Sequence, residues 1–110
     1  MNLSDFSQQA EQAEGFLKLL ANAHRLMLLC QLLEGERSVT ALHQSVGLSQ
    51  SAASQHLAKL REGGLVRTRR DGLTIYYALE RDDVRQIIEL LHQFYCRAAA
   101  PPPLGTKENA

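Results

Sequence analysis

The chain is poor in cysteine and proline, has no tryptophan and carries no net charge. Its 110 residues include two cysteines and three prolines, and twelve Lys and Arg balance twelve Asp and Glu. In a cytoplasmic protein two cysteines are not expected to form a permanent structural bridge, which leaves a switchable pair or two buried thiols. Neither a secretion signal nor an apolar run of about 20 residues is recognised, so no membrane partner is expected. We therefore expect one cytoplasmic domain, in which 45% hydrophobic residues supply an ordinary core.

The balanced charge is unevenly distributed along the chain. Residues 37–72 contain six basic side chains against two acidic ones, a net charge of +4. The segments before and after are both net negative. Since phosphate groups attract clustered positive charge, residues 37–72 are the predicted contact with nucleic acid.

Helical periodicity places helices at both ends of the chain. The predicted helices outside the central region span 5–21, 23–33 and 82–97. Asn22 is a plausible cap for the second of them. Three consecutive prolines stop the last helix, because the residue before a proline avoids helical geometry. We predict a flexible N-terminus at 1–4, a folded domain at 5–99 and a disordered tail at 100–110.

A helix at the centre of the chain has one apolar face and one small polar face. Ser49 is a good N-cap for it. A stripe with the spacing of a buried helix face follows, formed by Ala53, Leu57 and Leu60. The rest of the helix is small, polar and short of acid, which suits the major groove of DNA. A shorter helix at 40–46 and a tight turn precede it, so the two predict a helix-turn-helix.

Two runs after this helix alternate as β-strands do. They span 65–70 and 73–79, and Asp71-Gly72 between them suits the positive φ angles of a hairpin turn. Leu73 is predicted to begin the inward-facing set of the second strand, and the arginines of the hairpin are predicted to crowd its tip. The predicted fold class is mainly α with a β-hairpin wing, a winged helix-turn-helix of about five α-helices and two strands.

Polar and basic side chains of this region are the candidate DNA contacts. They are Ser49, Gln50, Ser51, Ser54, Gln55, His56, Lys59, Arg67, Arg69 and Arg70. The glutamines can pair bidentately with adenine, and the arginines suit phosphate or the minor groove. His56 has two interpretations, a phosphate contact or a brace for the helix. Lys59 likewise contacts phosphate or faces solvent.

The last predicted helix has more apolar surface than one small domain needs. Its apolar stripe consists of Val84, Ile87, Ile88, Leu91, Phe94 and Tyr95. Because the wing already has its own core contacts, part of this stripe is predicted to form a two-fold dimer interface together with the first helix.

The sequence resembles the ArsR family of bacterial winged-helix repressors. The resemblance covers about 14–96 and includes LANAHRL at 20–26, SQHL at 54–57 and IYY at 75–77. Within the family, LMLLC at 26–30 and the pair Tyr95-Cys96 make the chain most similar to the BigR and HlyU group. The resemblance implies a homodimer on an inverted-repeat operator in double-stranded DNA, without a cofactor, released when a reactive sulfur species acts as inducer.

Three other functions are weighed against this one. An anti-repressor that displaces a silencing protein is a role that the HlyU resemblance makes plausible. A metal- or arsenite-responsive repressor is disfavoured, because the family's two ligand pairs on the last helix, Asp-x-His and His-x-x-Glu/His, are incomplete here. Arg85 stands in the histidine position two residues after Asp83, and Tyr95 stands in the second ligand position three residues after His92. A redox enzyme is disfavoured because no Cys-x-x-Cys is present. We therefore predict no metal site and no enzymatic activity.

Cys30 and Cys96 are the predicted redox-sensing pair. Taken alone, each is more typical of a buried structural residue. The resemblance implies instead that they sense reactive sulfur or oxidants. Leucines around Cys30 disfavour its thiolate, whereas His92 and Arg97 favour one at Cys96, so we expect Cys96 to attack first and Cys30 to resolve. The resemblance favours a disulfide or polysulfide bridge within one subunit.

Overall fold

A computed structural model describes residues 3–95 as five α-helices around a small antiparallel sheet. The helices are α1 (Leu3–Leu20), α2 (Ala23–Gln31), α3 (Val39–Val46), α4 (Gln50–Glu62) and α5 (Asp82–Tyr95). The strands are β1 (Arg37–Ser38), β2 (Val66–Asp71) and β3 (Thr74–Leu79), in the order β1-β3-β2. The winged helix-turn-helix predicted from the sequence is confirmed.

Short polar side chains and a glycine set the helix ends. Asn22 Oδ1 accepts a backbone N–H of α2 at 3.0 Å, and Ser49 Oγ accepts one of α4 at 3.1 Å. Both predicted caps are therefore confirmed, and Ser38 caps α3 in the same way. Gly47 ends α3 with a φ of 80°, a left-handed conformation that glycine adopts without strain. The tight turn between α3 and α4 follows from this glycine and the Ser49 cap.

The core is built around α2 and the inner face of α4. Its largest fully buried side chains are Leu28, Leu29, Leu32, Leu42, Leu57, Leu60, Leu65 and Val84. The predicted stripe on α4 is confirmed, since Ala53 is buried beside Leu57 and Leu60. This packing fixes the rotation of α4, and so decides which of its side chains reach solvent.

The hairpin turn lies one residue later than the sequence analysis predicted. Asp71 pairs with Thr74, so the turn is Gly72-Leu73 rather than Asp71-Gly72. Gly72 has a φ of 64°, which fits a type II′ turn with glycine in its first central position. Leu73 is therefore fully exposed at the tip of the wing, and its predicted inward orientation is wrong.

Differences at the other element ends are small. A 3₁₀ turn, Leu32–Glu34, replaces the predicted last turn of α2, and α1 begins before the predicted start at residue 5. The strand β1 was not predicted, because two residues are too few for a periodic signal; it pairs Arg37 with Tyr77 and Ser38 with Tyr76.

Several predictions fall outside the described residues. They concern the helix end near Arg97, Cys96 and the tail at 100–110. No single helix within residues 3–95 has the length and apolar character to cross a membrane; only the bent pair Asp5–Leu20 and Ala23–Glu34, at 85° to each other, passes on length and composition.

Candidate functional site

The outward side of α4 carries a hydroxyl and an amide one turn apart. Ser51 and Gln55 are both exposed, on the side of the helix opposite the buried Leu57. Because residues four apart share a helix face, their polar groups point in the same direction. This pair is the part of α4 that a DNA groove reaches most directly.

Two further candidate contacts lie on the flank of α4 that faces the wing. Gln50 and Ser54 line a recess of about 210 Å³ whose other walls are α3 and β3. Gln50 is exposed there, whereas Ser54 is half-buried. The Ser49 hydroxyl is already engaged as the cap of α4. The predicted base-contacting residues thus divide into an outward pair and a recess pair.

His56 lies on the opposite flank of α4 and faces α2. Its Nδ1 is 3.5 Å from Nη1 of Arg25, and its ring centroid is 5.8 Å from that of His24. A guanidinium only donates hydrogen bonds, so Nδ1 accepts and a neutral His56 carries its proton on Nε2. Burial is the main cause that lowers the pKa of His56, followed by the charge of Arg25. This geometry fits the brace interpretation, and the phosphate contact stays a prediction.

Arg69 of the wing is held by a carboxylate. Its Nε and Nη2 donate to the two oxygens of Glu36 at 3.0 and 2.9 Å, and its Cζ lies 4.6 Å from the ring centroid of Tyr76. The hydrogen bond from Arg69 holds the pKa of Glu36 below its ordinary value. A phosphate that binds Arg69 must therefore compete with Glu36 for the Nε–Nη2 edge of the guanidinium or use its other N–H groups beside the carboxylate charge.

The other two wing arginines occupy different places. Arg67 donates from Nη1 to the Leu79 carbonyl at 2.7 Å and lies 3.5 Å from Glu80, so it sits at the base of the wing and its predicted place at the tip is wrong. Arg70 pairs with Ile75 of β3, and Ile75 lines the recess that Gln50 and Ser54 of α4 also line. Since directly paired residues share a sheet face, exposed Arg70 lies on the α4 side of the wing. Lys59 is also exposed.

Cys30 lines an apolar cavity between α2 and α5. The cavity has a volume of about 270 Å³, and its walls are mostly aliphatic. Cys30 contributes from α2, while His92 and Tyr95 contribute from the C-terminal part of α5. Tyr95 is the last described residue and directly precedes Cys96 in the sequence. The half-buried Cys30 side chain therefore lines the same cavity as the helix end that leads to the second cysteine.

α1 and α5 keep large apolar side chains exposed. Phe6 and Leu17 of α1 are 47% and 57% exposed. On α5, the half-exposed apolar side chains are Leu90, Phe94 and Tyr95. The surplus predicted for the last helix is therefore present, although the first part of the predicted stripe is buried in the core. Grouped apolar exposure of this kind is typical of a protein interface.

The acidic start of α5 forms local ion pairs. Asp83 accepts from Arg81 at 3.0 and 2.6 Å, and these hydrogen bonds lower the pKa of Asp83. Arg85 donates to the Leu33 carbonyl at 2.8 Å. Within residues 3–95, no three His, Cys, Asp or Glu side chains lie close enough together to hold a metal ion.

Helices α3 and α4, packed on α2 beside a β-hairpin, define a winged helix-turn-helix DNA-binding protein. A sequence pattern described as "Bacterial regulatory protein, arsR family" matches residues 22–68. Together with the relatives below, this match places the chain plainly: it belongs to the ArsR family of transcriptional regulators.

Two relatives are similar to this chain over most of their length. The transcriptional activator HlyU of Vibrio cholerae is 48% identical over 98 residues, 89% of this chain and 91% of the relative. The biofilm growth-associated repressor of Xylella fastidiosa is 40% identical over 96 residues, 87% and 84% of the two chains. Relatives of this chain thus include one named an activator and one named a repressor.

Solved structures agree with the fold. Reduced HlyU from Vibrio cholerae matches with a TM-score of 0.82 and 46% identity, over 86% of this chain and all of the other. The homodimeric winged helix-turn-helix domain Mb0332 from Mycobacterium bovis matches with a TM-score of 0.72 and 30% identity, over 91% and 97% of the two chains.

Two residues at the site were missed by sequence reasoning. Arg25 contacts His56 across 31 positions, and Glu36 binds Arg69 across 33. In each pair the two residues belong to different elements of the fold, so no local spacing in the sequence indicates the contact. The only sequence signal for Arg25 was its place in the segment that resembles the family.

Proposed function

We propose that this protein is a cytoplasmic, homodimeric transcriptional repressor that binds an inverted-repeat operator in double-stranded DNA. The observation that carries this proposal is the exposed polar face of α4, with Ser51 and Gln55 outward and the wing beside it. Such a helix enters the major groove, and a two-fold dimer contacts half-sites about 34 Å apart. This activity requires neither an enzymatic reaction nor a cofactor, and we infer that the protein has neither.

The proposed dimer uses the exposed apolar side chains of α1 and α5. A second copy of the chain would cover Phe6 and Leu17 on α1 and the exposed end of α5. The homodimeric neighbour from Mycobacterium bovis supports a homodimer, and the exposed apolar side chains support its location on α1 and α5. A two-fold interface also fits an inverted-repeat operator, since both have the same symmetry.

The proposed contacts divide between bases and phosphates. The proposed contacts with base edges come from Gln50, Ser51, Ser54 and Gln55. Ser49, at the start of α4, contacts the DNA backbone. Phosphate contacts come from His56, Lys59, Arg67, Arg69 and Arg70. Among the wing residues, Arg70 is the best placed, because it shares the α4 side of the sheet and is exposed. Arg69 contributes less while the Glu36 carboxylate is paired with it and offsets its charge.

Replacing Glu36 by glutamine is expected to strengthen DNA binding about two- to tenfold at low salt. The change removes the carboxylate that holds Arg69 and leaves its guanidinium ready for phosphate. The dependence of affinity on salt should also become steeper, because Arg69 then adds one phosphate contact. Fluorescence anisotropy with an operator duplex at several salt concentrations measures both effects.

Glu34→Gln is the matched control. Glu34 is an exposed carboxylate at the end of the 3₁₀ turn that also pairs with an arginine, Arg37 at 3.0 Å, which is not an arginine of the wing. If Glu36→Gln and Glu34→Gln increase the affinity for DNA by the same factor, the change in overall charge explains the gain and Arg69 makes no phosphate contact.

The proposed switch is a dithiol of Cys30 and Cys96 that reactive sulfur or oxidants convert to a bridge. The supporting observation is the apolar cavity that Cys30 shares with Tyr95, next to Cys96 in sequence. A disulfide needs Cα atoms about 4.4–6.8 Å apart, so closing it constrains α5 against α2. Since α2 packs against α4 and α5 is proposed to join the dimer, the bridge changes the separation of the two α4 helices.

The chemistry needs only a sulfur donor. The Cys96 thiolate attacks the outer sulfur of an organic persulfide, the S–S bond of the donor breaks, and its thiol leaves. The Cys30 thiolate then attacks the Cys96 sulfur and expels hydrosulfide, which leaves a disulfide. A donor that delivers two sulfurs gives a bridge with one sulfur inserted, again with loss of hydrosulfide. With peroxide, Cys96 is first oxidised to a sulfenic acid and the bridge forms with loss of water.

Intact mass and peptide mapping of the reduced protein, after separate exposure to an organic persulfide and to hydrogen peroxide, test the switch. We expect a Cys30–Cys96 bridge, accompanied by loss of operator binding in the same sample. A bridge after persulfide alone identifies a sulfur sensor, whereas a bridge after peroxide as well identifies a general thiol switch.

Cys30→Ser is the variant that isolates the bridge. It should bind the operator as wild type does and stay bound when polysulfide is added. Release of DNA by the treated serine variant, or by thiol-blocked protein, contradicts the mechanism. If neither persulfide nor peroxide produces a bridge, Cys30 and Cys96 have a structural role only.

An anti-repressor is the second candidate, since HlyU of Vibrio cholerae is named an activator. It would bind DNA through the same α4 and wing but displace another protein. A footprint that overlaps the site of a silencing protein, with higher transcription when this protein is present, distinguishes it from direct repression.

A further inference from the structure

The end of α1 is tied to the middle of α4 by a single arginine. Arg25 of α2 donates from Nε to the Leu19 carbonyl at 2.7 Å and from Nη2 to the Lys18 carbonyl at 3.1 Å. These carbonyls belong to the last turn of α1, where acceptors lack the usual partner four residues later and a positive charge is favoured, although the Lys18 carbonyl also accepts from the Ala21 N–H at 3.3 Å. The third nitrogen, Nη1, faces His56 Nδ1 on α4 at 3.5 Å.

A second contact joins the same two helices. Leu19 of α1 packs over Gly63, directly after α4, and a Cβ at Gly63 would collide with the Leu19 side chain. α1 is therefore held near the middle of α4 by Arg25 and near its end by Leu19. Two separated contacts fix an angle between helices, whereas one would leave a pivot.

We propose that Arg25 is the positioning residue that sets the angle between α1 and the DNA-contacting helix α4, and thereby the half-site spacing that the dimer accepts. The proposal rests on the proposed function, in which α1 carries part of the dimer interface and α4 enters the groove. Because α1 packs against the other subunit in the proposed dimer, a rotation of α4 relative to α1 changes the distance between the α4 helices of the two subunits. The hydrogen bonds of the Arg25 side chain go to two backbone carbonyls of α1 and to His56, and not to the exposed apolar side chains of the proposed dimer or to Ser51 and Gln55.

The chemistry of the three acceptors makes arginine specific at this position. A guanidinium presents five N–H donors in a planar fork, so it reaches two carbonyls and an imidazole at once. A lysine ammonium keeps the charge but is a single point of donation. Arg25→Lys therefore retains the favourable charge at the end of α1 and loses the simultaneous contact with His56.

Half-site spacing is the readout that separates positioning from folding. A half-site is first selected from randomised duplexes with the wild-type protein. Binding is then measured on full operators with the selected spacing, on operators with one base pair added or removed, and on a single half-site. One base pair moves the half-sites by about 3.4 Å and rotates them by about 35°, so we expect wild type to lose at least about tenfold in affinity.

For Arg25→Lys we expect weaker binding at the selected spacing and a preference among spacings reduced to about threefold or less, with half-site affinity unchanged. The matched control is Arg37→Lys, because the Arg37 guanidinium also donates to a helix-end carbonyl, that of Gln31 at 2.9 Å, and its hydrogen bonds to Gln31 and Glu34 do not join α1 to α4. This control should keep the wild-type spacing preference.

Two substitutions at the other end of the contact give an independent test. His56→Gln supplies an amide oxygen that accepts from Arg25, so spacing preference should be retained. His56→Leu removes the acceptor, so its preference among spacings should fall as it does in Arg25→Lys. Both His56 variants also lose the proposed phosphate contact of His56, which lowers affinity equally on half-site and full operators, so the spacing preference is the quantity that is compared. If glutamine and leucine give the same spacing profile, the Arg25–His56 contact does not position α4.

The outcomes also separate this inference from the proposed function. If wild type shows a spacing preference and Arg25→Lys keeps it, or loses affinity equally on half-site and full operators, the positioning role is wrong and the proposed function stands. If wild type binds a single half-site as tightly as the full operator, the dimeric function is wrong and the positioning role with it.

Discussion

Leu57→Ala is expected to lower the free energy of unfolding by about 2–5 kcal/mol. Leu57 is fully buried on the inner face of α4, so the shorter side chain leaves a cavity between α4 and the rest of the core. A domain of this size is stabilised by only about 5–15 kcal/mol in total. The variant should therefore unfold at a much lower urea concentration, and its DNA binding should fall with the folded fraction.

Urea unfolding followed by circular dichroism measures this effect. Lys59→Ala is the control, because Lys59 is exposed two positions further along the same helix, and its midpoint should stay close to that of wild type. A cost at Leu57 below about 1 kcal/mol would contradict the packing of α4 described here, since burial of a leucine side chain alone accounts for more than that.

Gln55→Ala is expected to reduce affinity for the operator by about 1–3 kcal/mol, roughly five- to 150-fold, with little change on unrelated DNA. The amide of Gln55 lies on the outermost face of α4, one turn from Ser51, where it can make a bidentate contact with an adenine. Gln50→Ala should have a similar effect at a different base pair, because Gln50 lies in the recess beside the wing.

Parallel binding titrations with operator and unrelated duplexes test this role. Gln44→Ala is the matched control, since Gln44 is an exposed glutamine on α3 and is not among the predicted contacts. An equal loss on both duplexes for Gln55→Ala would make the residue a general contact rather than a base-specific one. Unchanged affinity on both would remove it from the interface.

The two thiols show how far local patterns reach. The sequence offered Cys30 and Cys96 as a pair only through the resemblance, because 66 positions separate them and no spacing rule connects them. The structure brings Cys30 into one cavity with the end of α5, which gives the proposed bridge a physical setting. Their role in sensing remains a prediction that the mass measurement tests.

Most of the architecture could be predicted because its signals are local. The caps at Asn22 and Ser49, the stripe on α4 and the glycine that ends α3 each depend on residues within one or two helical turns. The hairpin was also predicted, but its turn was displaced by one residue. Gly72 occupies the first central position of a type II′ turn, and the dipeptide alone did not distinguish this register from the neighbouring one.

The sequence by itself determined the five helices and the hairpin, the buried face of α4 and the resemblance to the family, because helix periodicity, capping and motif residues act over a few positions. Only the tertiary structure decided which of the predicted DNA-contacting side chains are held by other groups of the protein. It holds Arg69 against Glu36, places Arg67 at the base of the wing and joins Arg25 to His56 and the end of α1. These pairings join groups on different helices, strands or loops, 6 to 33 positions apart, so the distances between the partners are set by the fold and not by the local sequence.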